Sequence, residues 1–294
     1  MKKPANNLKR IGLIGNSEKI SSRGVIRKAA QLIANSGRTV LTDAMTAEVA
    51  GLKSRVFPDA AALTKESDLV LVFGGDGTML RVASEVAGSS TPILGINVGG
   101  LGFLTAVSSQ EMPKALEEVW QGKFTVESRA LIEALGQCRA RLVQKCALND
   151  FVISRGIVSR LITLEVSVNG EPLTRYRCDG LIVSSPTGST AYSLSAGGAV
   201  VHPAADVFTL TPICPHTLSN RSVIVSLDAE IQVKAVSPRP ETILSADGQV
   251  VSEMTVNDFV TIRRSRDSVR LLRLEHSSFF ETLRRKLHWS GASI

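Results

Sequence analysis

The stretch Asp68-Leu-Val-Leu-Val-Phe-Gly-Gly-Asp-Gly-Thr78 decides how this chain folds. Its unbroken apolar run predicts a strand buried on both faces, which is typical of a parallel sheet covered by helices. The glycine-rich turn after it leads into a predicted helix over residues 78–87. Ligands of open parallel sheets bind beyond the carboxyl ends of the strands, where glycines let backbone N–H groups approach a phosphate. The stretch therefore predicts a phosphate site formed by Gly74, Gly75, Gly77 and Thr78.

Patterns on either side of this stretch extend the same architecture. Strands are predicted at residues 11–15, 39–42 and 92–96, and helices at residues 23–36, 60–66 and 113–120. Strands that alternate with helices indicate a parallel sheet with right-handed crossovers. We therefore expect an N-terminal Rossmann-like parallel α/β domain over residues 1–125.

From Phe124 onward the pattern becomes rich in strands. The pair Asn169-Gly170, between residues 161–168 and 171–177, is a strong hairpin signal because Asn-Gly accepts the positive φ of a type I′ turn. Further strands are predicted at residues 223–225, 231–236, 256–263 and 269–274, and a last helix at residues 277–288. The expected fold class is thus α/β plus β-rich, with a C-terminal β-sandwich-like domain over residues 126–274. A terminal helix within residues 275–294 is expected to pack back on the first domain.

Composition narrows the class of partner. The chain has 294 residues, a length typical of about two domains. Lys and Arg number 34 against 27 for Asp and Glu, so the net charge is +7, which suits an anionic partner. Aromatic residues make up only 4 % of the chain, so stacking platforms for single-stranded nucleic acid are scarce. We expect small phosphate-bearing ligands and no nucleic acid.

Apolar patterning and cysteine spacing bear on the compartment. The apolar runs are far shorter than the roughly 18 residues that a membrane helix needs, and Met1-Lys-Lys-Pro4 is not followed by the apolar core of a signal peptide. The four cysteines show no C-x-x-C spacing, and with four scattered histidines they form no zinc-ligand pattern. We expect a cytoplasmic protein with reduced thiols and no membrane partner.

The carboxylate in the glycine-rich turn is the most informative group of the chain. Among amides that bind a phosphate, the charge of Asp76 repels the phosphate and is unfavourable unless a metal ion or a donor hydroxyl accompanies it. The alternative is that Asp76 only caps the following helix. The turn fits neither G-x-G-x-x-G nor G-x-x-x-x-G-K-[ST], and Gly12-Leu-Ile-Gly15 lacks a third glycine. An ordinary nicotinamide-dehydrogenase site and a P-loop are therefore not expected.

Several strings of the chain resemble one enzyme family. Gly74-Gly-Asp-Gly-Thr78 resembles the nucleotide-site motif of NAD kinases, and more loosely that of diacylglycerol-type lipid kinases and 6-phosphofructokinases. Further strings that look like NAD kinase follow in the family's order. They are Asn97-Val-Gly-Gly-Leu-Gly-Phe-Leu-Thr105, Asp179-Gly-Leu-Ile-Val-Ser-Ser-Pro-Thr-Gly-Ser-Thr-Ala-Tyr-Ser-Leu-Ser-Ala-Gly-Gly198, Cys214-Pro-His-Thr-Leu-Ser219 and Ala246-Asp-Gly-Gln249. The resemblance covers nearly the whole chain, and the long glycine- and serine-rich string is its most specific part.

The resemblance implies an ATP-dependent NAD kinase, which transfers the γ-phosphate of ATP to the 2′-hydroxyl of the adenosine ribose of NAD and gives NADP. Asp76 would be the catalytic proton acceptor. ATP would bring a divalent metal ion, expected to be Mg²⁺, for which no protein ligands are assigned. The family forms dimers and tetramers, so a homo-oligomer is expected. The alternatives are a diacylglycerol-type lipid kinase and a non-catalytic dinucleotide-binding module.

The resemblance also implies which residues bind the substrates. Asn149 and Asp150 match a family Asn-Glu or Asn-Asp pair in which Glu is commoner, and the alternative for Asn149 is turn chemistry before a strand. Arg160 and Arg177 would pair with pyrophosphate, with a solvated strand face as the alternative. For the hydroxyls of residues 190–195 the alternative is a loop that packs on itself. The expected NAD-binding residues are Asp76, Gly77, Asn149, Asp150, Arg160, Arg177, Asp179, Thr190, Ala191, Tyr192, Ser193, Leu194, Ser195 and Gln249, and those expected at the ATP phosphates are Gly74, Gly75, Gly77, Thr78 and Arg81.

Overall fold

A computed structural model of the chain describes residues 8–16, 22–100, 102–105, 107–157, 160–217, 221–237 and 242–289. Leu101, Leu218 and Ser219, which belong to the family-like strings, and residues 290–294 of the predicted terminal segment lie outside the described residues. The chain divides into two compact units. Unit 1 comprises Met1–Ser128 and Ser268–Ile294, and unit 2 comprises Arg129–Asp267.

The elements are named in chain order. The helices are α1 (Ser22–Asn35), α2 (Ala44–Ala50), α3 (Ala60–Glu66), α4 (Asp76–Glu85), α5 (Met112–Trp120), α6 (Tyr192–Ser195) and α7 (Phe279–Leu287), and a 3-10 turn spans Thr187–Thr190. The strands are β1 (Arg10–Ile14), β2 (Thr39–Asp43), β3 (Arg55–Phe57), β4 (Leu69–Gly74), β5 (Ile93–Asn97), β6 (Val107–Ser108), β7 (Phe124–Cys138), β8 (Arg141–Ala147), β9 (Asp150–Arg155), β10 (Ile162–Val168), β11 (Glu171–Cys178), β12 (Gly180–Ser184), β13 (Val207–Ile213), β14 (Val223–Ser226), β15 (Ile231–Ala235), β16 (Thr242–Ala246), β17 (Gln249–Met254) and β18 (Phe259–Leu274).

Unit 1 is built on a parallel sheet. β1 lies between β2 and β4, β3 extends the sheet beyond β2, and β5 extends it beyond β4. Every residue of β4 is buried, as its apolar run predicts. Ile26 and Ile33 of α1 and Leu116 of α5 pack into a core with Leu71 and Phe73 of β4. The carboxyl end of β4 thus lies inside the sheet, flanked by strands on both sides.

Unit 2 is antiparallel and rich in strands. One sheet has the order β14-β13-β12-β9-β16-β17. A second set of paired strands has the order β11-β10-β15-β18, and β7 pairs with β8. Phe151 and Leu210 from the first sheet and Leu164 and Ile231 from the second set belong to one buried core. The predicted β-rich C-terminal half of the fold is therefore confirmed.

The terminal helix α7 has one buried face. Leu283 is 4 % exposed whereas Phe280 is 57 % exposed. In unit 1, His276 Nδ1 lies 3.1 Å from a carboxylate oxygen of Glu118 in α5, and Lys286 Nζ lies 5.9 Å from the ring centroid of Phe103. The helix therefore packs on the α/β unit, as the expected fold class requires.

Two predicted boundaries were wrong. The helix after the glycine-rich turn begins at Asp76 and not at Thr78, because Gly75 is its N-cap. The strands predicted at residues 256–263 and 269–274 form the single strand β18, since pairing reaches Leu271 as well as Ile262. The hairpin at Asn169-Gly170 is confirmed, with φ of 53° and 80° at the two turn residues.

Candidate functional site

The glycine-rich turn joins β4 to α4 in unit 1. Gly75 is extended, with φ −106° and ψ −169°, and caps α4 without a side chain. Its carbonyl accepts hydrogen bonds from Thr78 N at 3.0 Å and Met79 N at 3.2 Å. Asp76 is therefore the first residue of the helix and not its cap. The interpretation of Asp76 as a helix cap is wrong.

The three glycines of the turn serve different purposes. A side chain at Gly74 would collide with Thr78, so this glycine lets α4 pack closely on β4. A Cβ at Gly75 or Gly77 would meet no atom of the described chain within 4 Å, and neither residue has a positive φ. Glycine inside a helix costs about 1 kcal/mol relative to alanine, so the fold does not explain Gly77. The absence of side chains at Gly75 and Gly77 leaves room for a phosphate to approach this part of the backbone.

The carboxylate of Asp76 is held by the loop after β5. Oδ2 accepts a hydrogen bond from Phe103 N at 2.8 Å. Oδ1 accepts from Leu104 N at 3.0 Å, and from Thr105 N and Oγ1 at 3.3 Å each. A side chain at Gly102 would collide with this carboxylate. The loop therefore sets the orientation of a partly exposed carboxylate next to the glycine turn.

Asn97 braces the same loop from the end of β5. Its side chain is 3 % exposed. Nδ2 donates to Thr105 Oγ1 at 2.9 Å and to Gly100 O at 2.5 Å, and Oδ1 accepts from Gly99 N at 2.6 Å. The buried amide thus orders the loop that orients Asp76, although Asn97 was not among the predicted site residues.

Arg81 lies one helical turn beyond the glycine-rich turn. Its Nη1 forms an ion pair with Glu85 Oε1 at 2.9 Å, and its Nη2 donates to Gly15 O at 3.4 Å. Gly15 directly follows β1, the strand that pairs with β4. The guanidinium is therefore held at the carboxyl end of the sheet, on the side where the glycine turn lies.

In unit 2, Asn149 and Asp150 lie at the start of β9, with only 8 % and 4 % of each residue exposed. Within the described chain, neither the Asn149 amide nor the Asp150 carboxyl forms a side-chain hydrogen bond. The turn interpretation of Asn149 therefore has no support. Burial, and then the nearby carboxylate of Asp247, raise the pKa of Asp150 to about 7. Because buried polar groups normally have partners, this pair is suited to a ligand.

Asp247 contacts the backbone of this pair and was not among the predicted site residues. It lies in the turn between β16 and β17 with φ +48°. Its carboxylate accepts hydrogen bonds from Leu148 N at 2.9 Å, Asn149 N at 2.8 Å and Asp150 N at 3.2 Å. The Asp-Gly pair signals a hairpin turn, but the three donors lie 97 to 99 residues earlier. No local pattern could have indicated them.

The hydroxyl-rich segment divides into internal and outward groups. Ser193 Oγ lies 3.0 Å from Thr211 Oγ1, and Thr190 Oγ1 donates to Thr187 O at 3.4 Å. Tyr192, by contrast, is 48 % exposed. Among the other predicted residues, Ser195 and Gln249 are exposed, and Ala191 and Leu194 are partly exposed. The hydroxyls of Ser193 and Thr190 thus form hydrogen bonds within the unit, whereas the ring of Tyr192 is exposed to solvent.

Asp179 is paired with an arginine that the sequence analysis did not select. Arg155 Nε lies 2.8 Å from Asp179 Oδ1. Arg160 and Arg177 are exposed, and neither forms an ion pair within the described chain.

The structure does not bring Asp179 next to Asp150. β12 places Gly180 opposite Ser154 and Ser184 opposite Asp150. At about 3.4 Å per residue, Asp179 lies roughly 14 Å or more from the Asp150 end of the strand. Asp150 and Asp179 therefore lie at opposite ends of β12.

Two general expectations concern metals and membranes. Among the residues that the structure describes, no three His, Cys, Asp or Glu side chains are arranged to hold a metal ion. The cysteines at 138, 146, 178 and 214 are free, as predicted. In the same part of the chain, no helix is both long and apolar enough to cross a membrane.

Comparisons with known proteins match both parts of the chain. A family model of the ATP-NAD kinase N-terminal domain matches residues 11–124, and a model of the C-terminal domain matches residues 148–274. The chain is 39 % identical over 286 residues to an NAD kinase of Nitrosomonas europaea, which covers 96 % of each chain. It is 44 % identical over 228 residues to an NAD kinase of Geotalea daltonii, covering 77 % of this chain and 80 % of the relative.

Solved structures share the fold. A crystal structure of yeast NADH kinase complexed with NADH superimposes with a TM-score of 0.86 at 26 % identity, covering 97 % of this chain and 89 % of the other. An NAD kinase from Archaeoglobus fulgidus in complex with ATP superimposes with a TM-score of 0.76, also at 26 % identity, covering 96 % of this chain and 100 % of the other. The predicted combination of a parallel N-terminal sheet and a β-rich C-terminal half is thus shared with both.

Proposed function

The chain belongs to the ATP-NAD kinase family and is a kinase that transfers phosphate to NAD; from this premise we propose that the γ-phosphate of ATP moves to the 2′-hydroxyl of the adenosine ribose, giving NADP. The observation that carries the proposal is the oriented carboxylate of Asp76 beside a turn whose Gly75 and Gly77 face open space. The match of both family models favours this function over a diacylglycerol-type lipid kinase and over a non-catalytic binding module.

We assign Asp76 the role of catalytic residue. A carboxylate is a far weaker base than an alkoxide, so Asp76 does not remove the ribose proton before the reaction starts. It orients the hydroxyl and receives the proton as the oxygen–phosphorus bond forms. The hydrogen bonds from Phe103, Leu104 and Thr105 support this role because they hold the carboxylate in one orientation. Catalysis then rests mainly on positioning and charge neutralisation.

We propose that the ATP phosphates bind at the glycine turn. The Cβ positions of Gly75 and Gly77 are open, which leaves room for a phosphate beside their backbone, and the N-terminus of α4 adds a positive dipole end. Gly74 and Thr78 shape the turn through their close contact. Arg81 completes the set, because a charged phosphate is a stronger partner for its guanidinium than the carbonyl of Gly15.

For NAD, we propose that Asn149 and Asp150 contact the adenosine. An amide offers a donor and an acceptor to an adenine edge, and a carboxyl with a pKa of about 7 both donates to and accepts from ribose hydroxyls. Tyr192 is exposed enough to stack on a base. The remaining NAD-binding residues proposed are Gly77, Arg160, Arg177, Asp179, Ala191, Leu194, Ser195 and Gln249. Thr190 and Ser193 are proposed to contribute by ordering this segment, since their hydroxyls form hydrogen bonds within the unit.

We propose that the divalent ion, Mg²⁺, is bound mainly by phosphate oxygens of ATP. Mg²⁺ keeps several waters and needs few protein ligands when it binds a nucleotide. The described residues offer no cluster of three or more ligating side chains, which fits an ion that enters with its substrate. Its chemistry is to neutralise charge on the phosphate oxygens during transfer.

We also propose the wider organisation of the protein. The α/β domain spans residues 1–125, the NAD-binding β-rich domain spans residues 126–274, and residues 275–294 return to the first domain. The membership of Ser268–Ile294 in unit 1 supports that return. We propose a cytoplasmic homo-oligomer, either a dimer or a tetramer, which light scattering on the purified protein would measure.

Incubation with NAD, ATP and MgCl₂, followed by enzymatic detection of NADP, tests the activity. Asp76→Asn is expected to lower kcat by about a hundredfold or more with little change in NAD affinity, since only the transition state needs the carboxylate. The absence of NADP with every metal and phosphate donor would exclude the activity. Turnover of Asp76→Asn within a few-fold of wild type would exclude the catalytic role.

Two glycines of the loop after β5 give a matched pair of variants. Gly102→Ala places a Cβ against the Asp76 carboxylate, whereas Gly100→Ala places one in open space. We expect kcat to fall in Gly102→Ala and to stay unchanged in Gly100→Ala, because only the first displaces the carboxylate. Equal kcat values in the two variants would contradict the importance of this orientation.

A further inference from the structure

A two-residue turn in unit 2 joins its carboxylate to the backbone of the proposed adenosine-binding pair. Asp247 Oδ1 accepts hydrogen bonds from Asn149 N at 2.8 Å and Asp150 N at 3.2 Å, while Oδ2 accepts from Leu148 N at 2.9 Å. In return, Asp247 N donates to Asp150 O at 3.0 Å. One residue thus engages three successive N–H groups at the point where the chain enters β9.

The turn itself does not require an aspartate at this position. Unit 2 contains a second two-residue turn of the same form, Asn169-Gly170, with φ of 53° and 80° against 48° and 79° for Asp247-Gly248. In that turn Asn169 uses a single side-chain oxygen, which accepts a hydrogen bond from Glu230 N at 2.9 Å. An asparagine at 247 would direct its Nδ2 hydrogens at an N–H donor. The second carboxylate oxygen is therefore what distinguishes Asp247.

The choice of aspartate also carries an electrostatic cost. Burial raises the pKa of Asp247, although the three N–H groups oppose this. Its charge in turn raises the pKa of Asp150. A residue chosen only to make the turn would avoid a second buried carboxyl beside Asp150. The three backbone hydrogen bonds offset part of this cost, and they order residues 148–150.

We propose that Asp247 is a positioning residue for nucleotide binding, whose carboxylate fixes the backbone of residues 148–150 so that Asn149 and Asp150 present their unpartnered side chains to the adenosine of NAD. The inference rests on the proposed function of this pair. It extends that function by naming the group that pre-organises the pair before the substrate arrives, which lowers the entropy cost of binding.

Steady-state kinetics on the full chain test the proposal. Asp247→Asn keeps the turn preference and removes one acceptor oxygen, so we expect the KM for NAD to rise about tenfold or more while the KM for ATP stays unchanged. Asn169→Asp, the reciprocal change in the matched turn, is expected to leave both constants unchanged. An unchanged KM for NAD in Asp247→Asn, or an equal rise in the KM for ATP, would overturn the proposal.

Hydrogen exchange on the wild-type protein gives a second readout that needs no variant. We expect the amides of residues 148–150 to be protected without NAD, because their acceptor belongs to the protein. Rapid exchange that slows only when NAD is added would overturn the proposal, even if Asp247→Asn fails to fold. Failure of the proposed function is distinguishable, since it would appear as absent NADP formation with these amides still protected.

Discussion

Three carboxyl groups carry the candidate chemistry at the scale of single residues, and each has different neighbours. Asp76 accepts hydrogen bonds from the loop after β5. Asp247 accepts from three backbone N–H groups. Asp150 is buried without a side-chain partner in the described chain and has its pKa raised to about 7. Asp76 is suited to orient a hydroxyl, and Asp247 to hold the backbone. Asp150 is suited either to donate a hydrogen bond to a ligand or to accept one from it.

The raised pKa of Asp150 predicts that its contribution to stability falls as the pH rises. Its carboxyl titrates at an ordinary 3.8 when unfolded and at about 7 when folded. Between these values unfolding releases a proton, so the free energy of unfolding decreases with pH. Asp150→Asn removes this loss. We expect the free energy of unfolding of the variant, relative to that of wild type, to increase by up to a few kcal/mol between pH 4 and pH 8.

Urea unfolding at several pH values measures this gain. Asp228→Asn is the control for the change of residue type, because the side chain of Asp228 is 81 % exposed. If Asp150→Asn and wild type lose stability in parallel as the pH rises, Asp150 does not titrate near neutrality.

At the scale of elements, side chains close in sequence set where helices begin and end. Asp43 caps α2 by accepting from Thr46 N at 2.8 Å, and Gly51 ends that helix with φ +61°. Asp59 caps α3 by accepting from Ala62 N at 2.7 Å. These caps satisfy N–H groups that the first turn of a helix leaves without partners.

The cap of α3 gives a prediction about stability. Asp59→Ala removes the acceptor for Ala62 N and is expected to lower the free energy of unfolding by about 1 kcal/mol. Asp59→Asn keeps an oxygen in the same place and should cost little. Equilibrium unfolding in urea compares the variants, and an equal loss in both would show that the oxygen does not stabilise the helix.

At the scale of the whole molecule, each unit has its own core and its own part of the chemistry. Unit 1 contains the glycine turn and Asp76, and its core includes Leu71 and Phe73. Unit 2 contains Asn149, Asp150 and Asp247, and its core is built from two sets of strands. The net charge of +7 favours the approach of anionic substrates such as ATP and NAD.

Removal of the metal ion is expected to abolish activity without changing the stability of the fold. Excess EDTA should abolish NADP formation, because the ion neutralises the phosphate oxygens of ATP. The melting temperature without nucleotide should not change, because the described residues offer no built metal site. Thermal melts and activity assays with and without EDTA, followed by added MgCl₂, provide the test. A lowered melting temperature that MgCl₂ restores would contradict entry of the ion with ATP.

Much of the fold is readable from local pattern. The apolar run before Gly74, the helix starting after Asp59 and the Asn169-Gly170 hairpin were each predicted near their observed positions. The short elements α2 and β3 were missed because a few residues carry too little periodicity, and longer strands such as β7 and β13 were not predicted individually either. The break predicted within β18 was wrong because the strand runs on through the polar residues 264–268, pairing with β15 before them and with β5 after them.

The sequence by itself determined what depends on neighbours along the chain: burial of β4, the glycine turn after it, helix caps and hairpin turns. It also placed Asp76, Asn149 and Asp150 as candidates through their motifs. Only the tertiary structure decided that Asp76 is oriented by amides 27 to 29 residues away and that Asp247 holds the backbone of Asn149 and Asp150. The physical reason is that a hydrogen bond between distant residues exists only once the fold has brought donor and acceptor within about 3 Å.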